Sequence, residues 1–279
     1  MSAVTKLLVA WRDRRSLLSV GLEPCPEYLP AAHPEFEPTI AGYERFLMAI
    51  VEGATDSAAA FKFNLAFFEA LGPEGWSLLK RVRDRLPAHA LVIADAKRGD
   101  IGSTARRYAQ ATFDWLNADA VTLSPLMGRD SAEPFLAYRD RLCYFLCLTS
   151  NPGSKDFLDR GGLYLEIARA VASWGGAAGS GLVVGATHPG RVSEIRAAAP
   201  ALPFLVPGVG AQGGEIEAVV RAGAIAGSPT PGTLFHVTRA VLADANDPGP
   251  FHRIVRAKAE NFRARIAAAV PATLSTTHA

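Results

Sequence analysis

Cysteine is scarce. Only Cys25, Cys143 and Cys147 occur in 279 residues, an odd set with no C-x-x-C spacing. That excludes a disulfide framework and a thiolate zinc site, and a reduced, cytoplasmic setting is expected. Long apolar runs are missing as well. Leu7 to Trp11 is interrupted at once by Arg12, Asp13, Arg14 and Arg15, too short for a signal-peptide core, and no later run reaches the ~20 residues of a membrane span. Nor does one sign of charge dominate: 29 Lys and Arg face 27 Asp and Glu, for a net charge of +2. Neither a nucleic-acid surface nor a membrane-binding face is expected from that balance, which leaves small molecules as partners. No long linker or composition shift divides the chain, so one domain over residues 1–279 is expected, with 271–279 a frayed tail.

What is present is a repeated alternation of short apolar runs and amphipathic segments. Strands are expected at Leu17 to Leu22, Ala59 to Asn64, Leu91 to Asp95, Ala120 to Leu123, Tyr144 to Leu148, Leu182 to Gly185, Phe204 to Val206 and Ala224 to Gly227. Between them, helical spacing covers Ile40 to Asp56, Glu74 to Arg85, Thr104 to Leu116, Ala132 to Arg139, Leu163 to Trp174, Arg191 to Ala199, Glu215 to Ala222 and Thr233 to Ala243. Extra helices are expected at the two ends, Thr5 to Arg15 and Phe251 to Val270. Eight βα units in one unbroken chain imply an α/β fold, a closed (β/α)₈ TIM barrel with a parallel sheet.

The stretch Leu91 to Tyr108, LVIADAKRGDIGSTARRY, breaks the strand pattern in an informative way. It begins as a buried strand, then carries Asp95 and Lys97 two residues apart and Asp100 three further on. Residues i and i+2 of a strand share a face, so Asp95 and Lys97 should project together, with a cation held between two carboxylates. Gly99 and Gly102 permit tight turns, and Ser103 or Thr104 is suited to cap the next helix.

In a barrel the active site lies at the carboxyl ends of the strands. The residues expected there are Glu23 after the first strand, Lys62 on the second, Asp95, Lys97 and Asp100 at the third, Ser150 and Asn151 after the fifth, Gln212 after the seventh, and Arg239 in a helix after the eighth. Any one of them alone reads as a structural ion pair or turn residue; convergence from six strands favours a site. A Schiff-base lysine needs a neutral amine, whereas adjacent carboxylates favour the ammonium, which suits proton donation or carbanion stabilisation. Two aspartates could hold Mg²⁺, but a lysine between them disfavours it, and no His or Cys lies at ligand spacing. Gly208 to Gly213 fits G-x-G-x-x-G, yet it follows the seventh strand and has no acidic residue about twenty positions on, so a dinucleotide site is not expected. A phosphate held by the loops after strands seven and eight, with Gln212 and Arg239 as donors, explains those glycines better than a plain loop. Arg98-Gly99-Asp100 spells an adhesion tripeptide by accident.

Asp95-Ala96-Lys97-Arg98-Gly99-Asp100-Ile101-Gly102-Ser103-Thr104 closely resembles the signature of the orotidine 5′-phosphate decarboxylase family, in the form found in its longer bacterial subgroup. Phe61 to Asn64 with Ala66 to Glu69, Thr149 to Pro152, and Val206 to Gly214 resemble its second strand, fifth loop and phosphate loop, in the same order. The resemblance implies conversion of orotidine 5′-phosphate to UMP and CO₂ in pyrimidine synthesis, with no metal or organic cofactor. It implies a charged network of Lys62, Asp95, Lys97 and Asp100, with Lys97 the proton donor to C6. It also implies a homodimer in which Asp100 and Thr104 reach the partner's site, a pyrimidine contact from Ser150, and phosphate contacts from Gln212 and Arg239. The family usually carries Asp at the ribose-contact position where this chain has Glu23, one methylene longer. Two other functions stay open on the residues: a Mg²⁺-dependent sugar-phosphate decarboxylase or aldolase on the same barrel, and a silent phosphate-ligand binding protein.

Overall fold

The computed structural model describes residues 1–175, 179–187, 189–209, 216–225, 233–242 and 247–270. Among them, eight parallel strands follow one another around a closed barrel: β1 Leu18–Leu22, β2 Ala60–Asn64, β3 Leu91–Arg98, β4 Ala120–Leu123, β5 Leu142–Leu148, β6 Ser180–Val184, β7 Phe204–Pro207 and β8 Thr233–Val237. β8 closes the ring on β1 through Leu18–Phe235 and Val20–Val237. β1, β4, β6 and β8 are buried at every position, which is why they read as continuous apolar runs rather than alternating ones. At the seam, Gly21 of β1 leaves the space that Thr238 fills: a Cβ there would lie 2.1 Å from Thr238 Oγ1.

The helices covering the barrel are α2 Ile40–Ala54, α3 Leu65–Glu69, α4 Gly72–Asp84, α5 Gly102–Gln110, α6 Arg129–Leu136, α7 Leu163–Trp174, α8 Pro189–Ala198, α9 Ile216–Gly223 and α10 Phe251–Ala269, preceded by α1 Ala3–Arg14. α1 starts at Ser2, whose side chain accepts from Thr5 N, and lies across the amino-terminal ends of β3 to β5. Its Ala3, Leu7 and Ala10 pack onto the barrel interior formed by Ala60, Ile93, Ala120, Tyr144, Val183 and Leu234 among others. Lys6 Nζ donates to Asp119 Oδ2 at 2.8 Å and to Ala90 O at 3.2 Å. The same carboxylate accepts from Val92 N at 2.8 Å, so one buried acid ties helix, β3 and β4 together. The barrel floor is thereby sealed.

Seven of the eight expected strands lie where the sequence puts them, within about two residues at most ends except the longer third. The eighth does not. Ala224 and Ile225 have no regular structure, residues 226–227 lie outside the described set, and β8 runs through the first half of the expected helix Thr233 to Ala243. The run Thr-Leu-Phe-His-Val is short and buried throughout. Periodicity alone cannot separate such a run from a helix segment, and its β-branched and aromatic residues favour the strand. Arg239 therefore follows β8 directly in a short 3₁₀ turn, Arg239–Val241. A second correction concerns α5: its cap is Ile101, with no capping side chain, so Ser103 and Thr104 lie inside the helix. The expected tail, 271–279, lies outside the described residues.

Candidate active site

Asp95 is the centre of the site. It stands near the end of the buried part of β3, its side chain 11% exposed, and each carboxylate oxygen holds a different lysine: Oδ2 accepts from Lys62 Nζ and Oδ1 from Lys97 Nζ, both at 2.6 Å. The order of charges is thus a carboxylate between two ammoniums, where the residues alone pointed to an ammonium between two carboxylates. β2 and β3 pair with Lys62 beside Ile93 and Asn64 beside Asp95, so Lys62 reaches up two residues to the acid. Burial acts to raise the Asp95 carboxyl, but the charges and hydrogen bonds of Lys62 and Lys97 outweigh it and hold the group well below the usual carboxylate range. Asp95 stays ionised, and both lysines keep an anionic neighbour. Lys62 is buried, whereas Lys97 has a side chain 49% exposed at the open mouth.

Lys97 also has φ +49°, a left-handed conformation costing a non-glycine residue about 1–2 kcal/mol. It lies in an irregular part of the β3–β4 ladder, where Ala94 pairs with Val121 and the next pair is Arg98 with Leu123. Three residues, 95–97, therefore face Thr122 alone. Thr122 Oγ1 accepts from Ala96 N and Lys97 N, both at 3.0 Å, and donates to Asp95 Oδ1 at 2.8 Å. Sequence reasoning passes over Thr122, because a threonine in a strand looks ordinary; its signal is a lone hydroxyl in an otherwise apolar strand beside the charged one.

His236 was also missed, since the expected helix hid it. It is buried on β8, with Nδ1 3.1 Å from Ser19 Oγ and Nε2 3.2 Å from Thr238 Oγ1. Burial and the nearby Lys62 charge push its pKa well below the usual histidine value, so the ring is neutral and adds no third cation.

The other expected residues form a looser ring. Glu23 directly follows β1 and is buried. Asp100 makes no ion pair with Lys97 among the described residues; its Oδ1 instead accepts from Ile101 N at 2.8 Å. Thr104 is exposed on α5. Ser150 follows β5, packed so close to Gly185 that a Cβ there would lie 2.9 Å from Ser150 N. Asn151 Oδ1 accepts from Thr149 Oγ1 at 2.7 Å. A cleft of about 400 Å³ lies beside these residues, with Lys155, Thr187 and Arg191 on its wall. Arg239 is exposed after β8, and Gln212 lies outside the described residues. Among those residues, no three His, Cys, Asp or Glu side chains group as metal ligands, and both oxygens of the central acid already bind ammoniums.

Compared with known proteins, the sequence matches the orotidine 5′-phosphate decarboxylase / HUMPS family over residues 18–251. It is 46% identical to the orotidine 5′-phosphate decarboxylase of Roseiflexus castenholzii over 269 residues, 94% of this chain and 96% of that one. The chain belongs to the orotidine 5′-phosphate decarboxylase / HUMPS family. Another relative, the orotidine 5′-phosphate decarboxylase of Herpetosiphon aurantiacus, is 45% identical over 92% of this chain and 95% of its own. Among solved structures, the OMP decarboxylase of Leishmania donovani superposes with a TM-score of 0.81 at 39% identity, covering 96% of this chain and 98% of that one. The putative orotidine monophosphate decarboxylase of Toxoplasma gondii gives 0.84 at 33% identity, with 95% and 96% covered. The likeness to these solved structures extends over nearly the whole chain.

Proposed function

We propose that the protein is an orotidine 5′-phosphate decarboxylase, a carboxy-lyase of de novo pyrimidine synthesis that works in the cytoplasm without a metal or organic cofactor. The observation that carries this reading is the Lys62–Asp95–Lys97 array at the carboxyl ends of β2 and β3, in a family whose near relatives bear that name. Breaking the C6–CO₂⁻ bond releases CO₂ and leaves the electron pair on C6, where the ring delocalises it poorly. An ammonium fixed beside that carbon stabilises the pair without reorganisation and then transfers its proton to C6. Lys97, more exposed than Lys62, is the donor; the resulting amine regains its proton from solvent. Asp95 holds the Lys97 ammonium in place until the pair forms, and Lys62 orients Asp95.

Glu23 is assigned to the ribose, Ser150 and Asn151 to the pyrimidine side, and Gln212 with Arg239 to the phosphate. Binding the phosphate far from C6 supplies remote binding energy. Asp100 and Thr104 act in the site of a second copy, so the working form is a homodimer. Ile101, Leu126 and Met127 support that: they are large apolar side chains, 52%, 62% and 47% exposed, in the segments that follow β3 and β4.

The deciding experiment mixes purified protein with orotidine 5′-phosphate in excess EDTA and follows loss of the orotate absorbance. Turnover unchanged by the chelator is expected. Abolition by EDTA with rescue by Mg²⁺ would favour a metal-dependent sugar-phosphate enzyme, and binding without any absorbance change would favour a silent phosphate-ligand protein.

A further inference from the structure

The bulge in β3 is where the proposed proton donor acquires its geometry, and its hydrogen bonds are unusual. Backbone N–H groups in a parallel ladder normally donate to carbonyls of the neighbouring strand. Between Ala94 and Arg98 the β3–β4 register jumps, and the N–H groups of Ala96 and Lys97 have no β4 carbonyl to meet. Both go to the side-chain oxygen of Thr122, which is 1% exposed. A hydroxyl offers two lone pairs and one proton. All three are used here, the proton going to Asp95 Oδ1, the same oxygen that holds Lys97 Nζ. One buried atom therefore fixes the backbone of Lys97 in its left-handed conformation and orients the carboxylate to which its ammonium returns.

We propose that Thr122 is a positioning residue for Lys97: its hydroxyl replaces the missing ladder acceptors, holds the bulge, and so sets where the ammonium stands relative to the reacting carbon. What Lys97 does with that position rests on the decarboxylase reading; that Thr122 sets the position does not. Thr122 is buried, and its hydroxyl is taken up by Ala96 N, Lys97 N and Asp95. The claim separates from simple packing because valine is nearly isosteric with threonine yet can neither accept the two N–H groups nor donate to Asp95, whereas serine retains both functions and loses only the methyl group.

The test compares wild-type protein with Thr122→Val and Thr122→Ser for kcat and KM on orotidine 5′-phosphate, Kd for UMP, and the pH dependence of kcat. Thr122→Val is expected to lower kcat on the order of 10²-fold, the cost of a reacting group displaced by about 1 Å, with KM and UMP affinity near wild type. Its acid limb should move to higher pH, because Asp95 loses a hydrogen bond to its charged form. Thr122→Ser should restore most of kcat. Wild-type kcat in Thr122→Val, an equal loss in Thr122→Ser, or a kcat loss matched by a loss of UMP binding overturns the proposal. Should Thr122→Val not fold, Thr122→Cys carries the same test with a thiol that bonds weakly: lowered kcat with UMP affinity kept supports it, and wild-type kcat overturns it. A wild-type protein inert toward orotidine 5′-phosphate sinks the decarboxylase reading instead. Crystal structures of the wild type and a folded variant then decide, since Lys97 leaving positive φ and Asp95 supports the proposal and an unmoved Lys97 overturns it.

Discussion

Lys97 is held in its left-handed conformation rather than preferring it, and what holds it is a set of contacts with one carboxylate and one hydroxyl. Lys97→Ala should reduce turnover by at least the 10²–10⁴-fold typical of a lost general acid. UMP should still bind, since the phosphate and ribose contacts proposed above involve other residues; kcat by orotate absorbance and Kd by calorimetry check the two halves. His236 provides a pH prediction with a definite sign. Its folded pKa is depressed, by burial first and the Lys62 charge second, so the unfolded chain takes up the proton near the usual value of about 6.5 while the folded chain does not. The stability tied to a neutral His236 is present above that pH and is lost as pH falls below it, at up to about 1.4 kcal/mol per pH unit. His89, also lowered by burial, acts in the same sense. Thermal melts at pH 7 and pH 5 should show a smaller acid-side fall in Tm for His236→Gln than for wild type. Asp95, held below the carboxylate range, adds a loss only in acid below about 3.9.

α1 stabilises the barrel from below through a buried pair as well as apolar packing. The Lys6 and Asp119 side chains are 14% and 8% exposed. Asp119→Ala should cost about 3–5 kcal/mol, since it strands a buried ammonium, and also strips Val92 N of its acceptor; urea unfolding checks the figure. How far such elements can be read in advance depends on how much of their environment is local. Seven strands were legible because each apolar run is bounded by turn residues and followed by a helical stripe. β8 was not, because five buried residues carry no period of their own and its true neighbour, β1, lies more than 200 positions away in sequence. The same holds at the site. Lys62, Asp95 and Lys97 announce themselves because charge inside an apolar strand is costly unless partnered. Thr122 and His236 do not, since their roles exist only once β3 bulges and β8 pairs with β1. Asp100 was legible as part of a motif, yet within one chain it turns to Ile101 N, a placement that the motif alone did not reveal.

For the whole molecule, the proposed homodimer makes two predictions. Inactive Lys97→Ala and inactive Asp100→Ala chains, mixed under conditions of subunit exchange, should recover partial activity, because hybrid dimers rebuild one intact site. No recovery despite proven exchange argues against a shared site. Leu126→Asp, at a side chain 62% exposed, should shift sedimentation toward monomer and lower activity in parallel, more so at low protein concentration. The barrel's closure has a further consequence, in how this sequence is free to change. At the seam, position 21 has no room for a methyl group while Thr238 stands 2.1 Å from where it would go, and Thr238 in turn contacts the ring of His236. Gly21→Ala met first should be rejected as overpacking, at about 1–3 kcal/mol, whereas cutting Thr238 back opens that space but releases the histidine. Descendants of this chain can therefore remodel the seam only in one order, and the three positions are inherited as a unit.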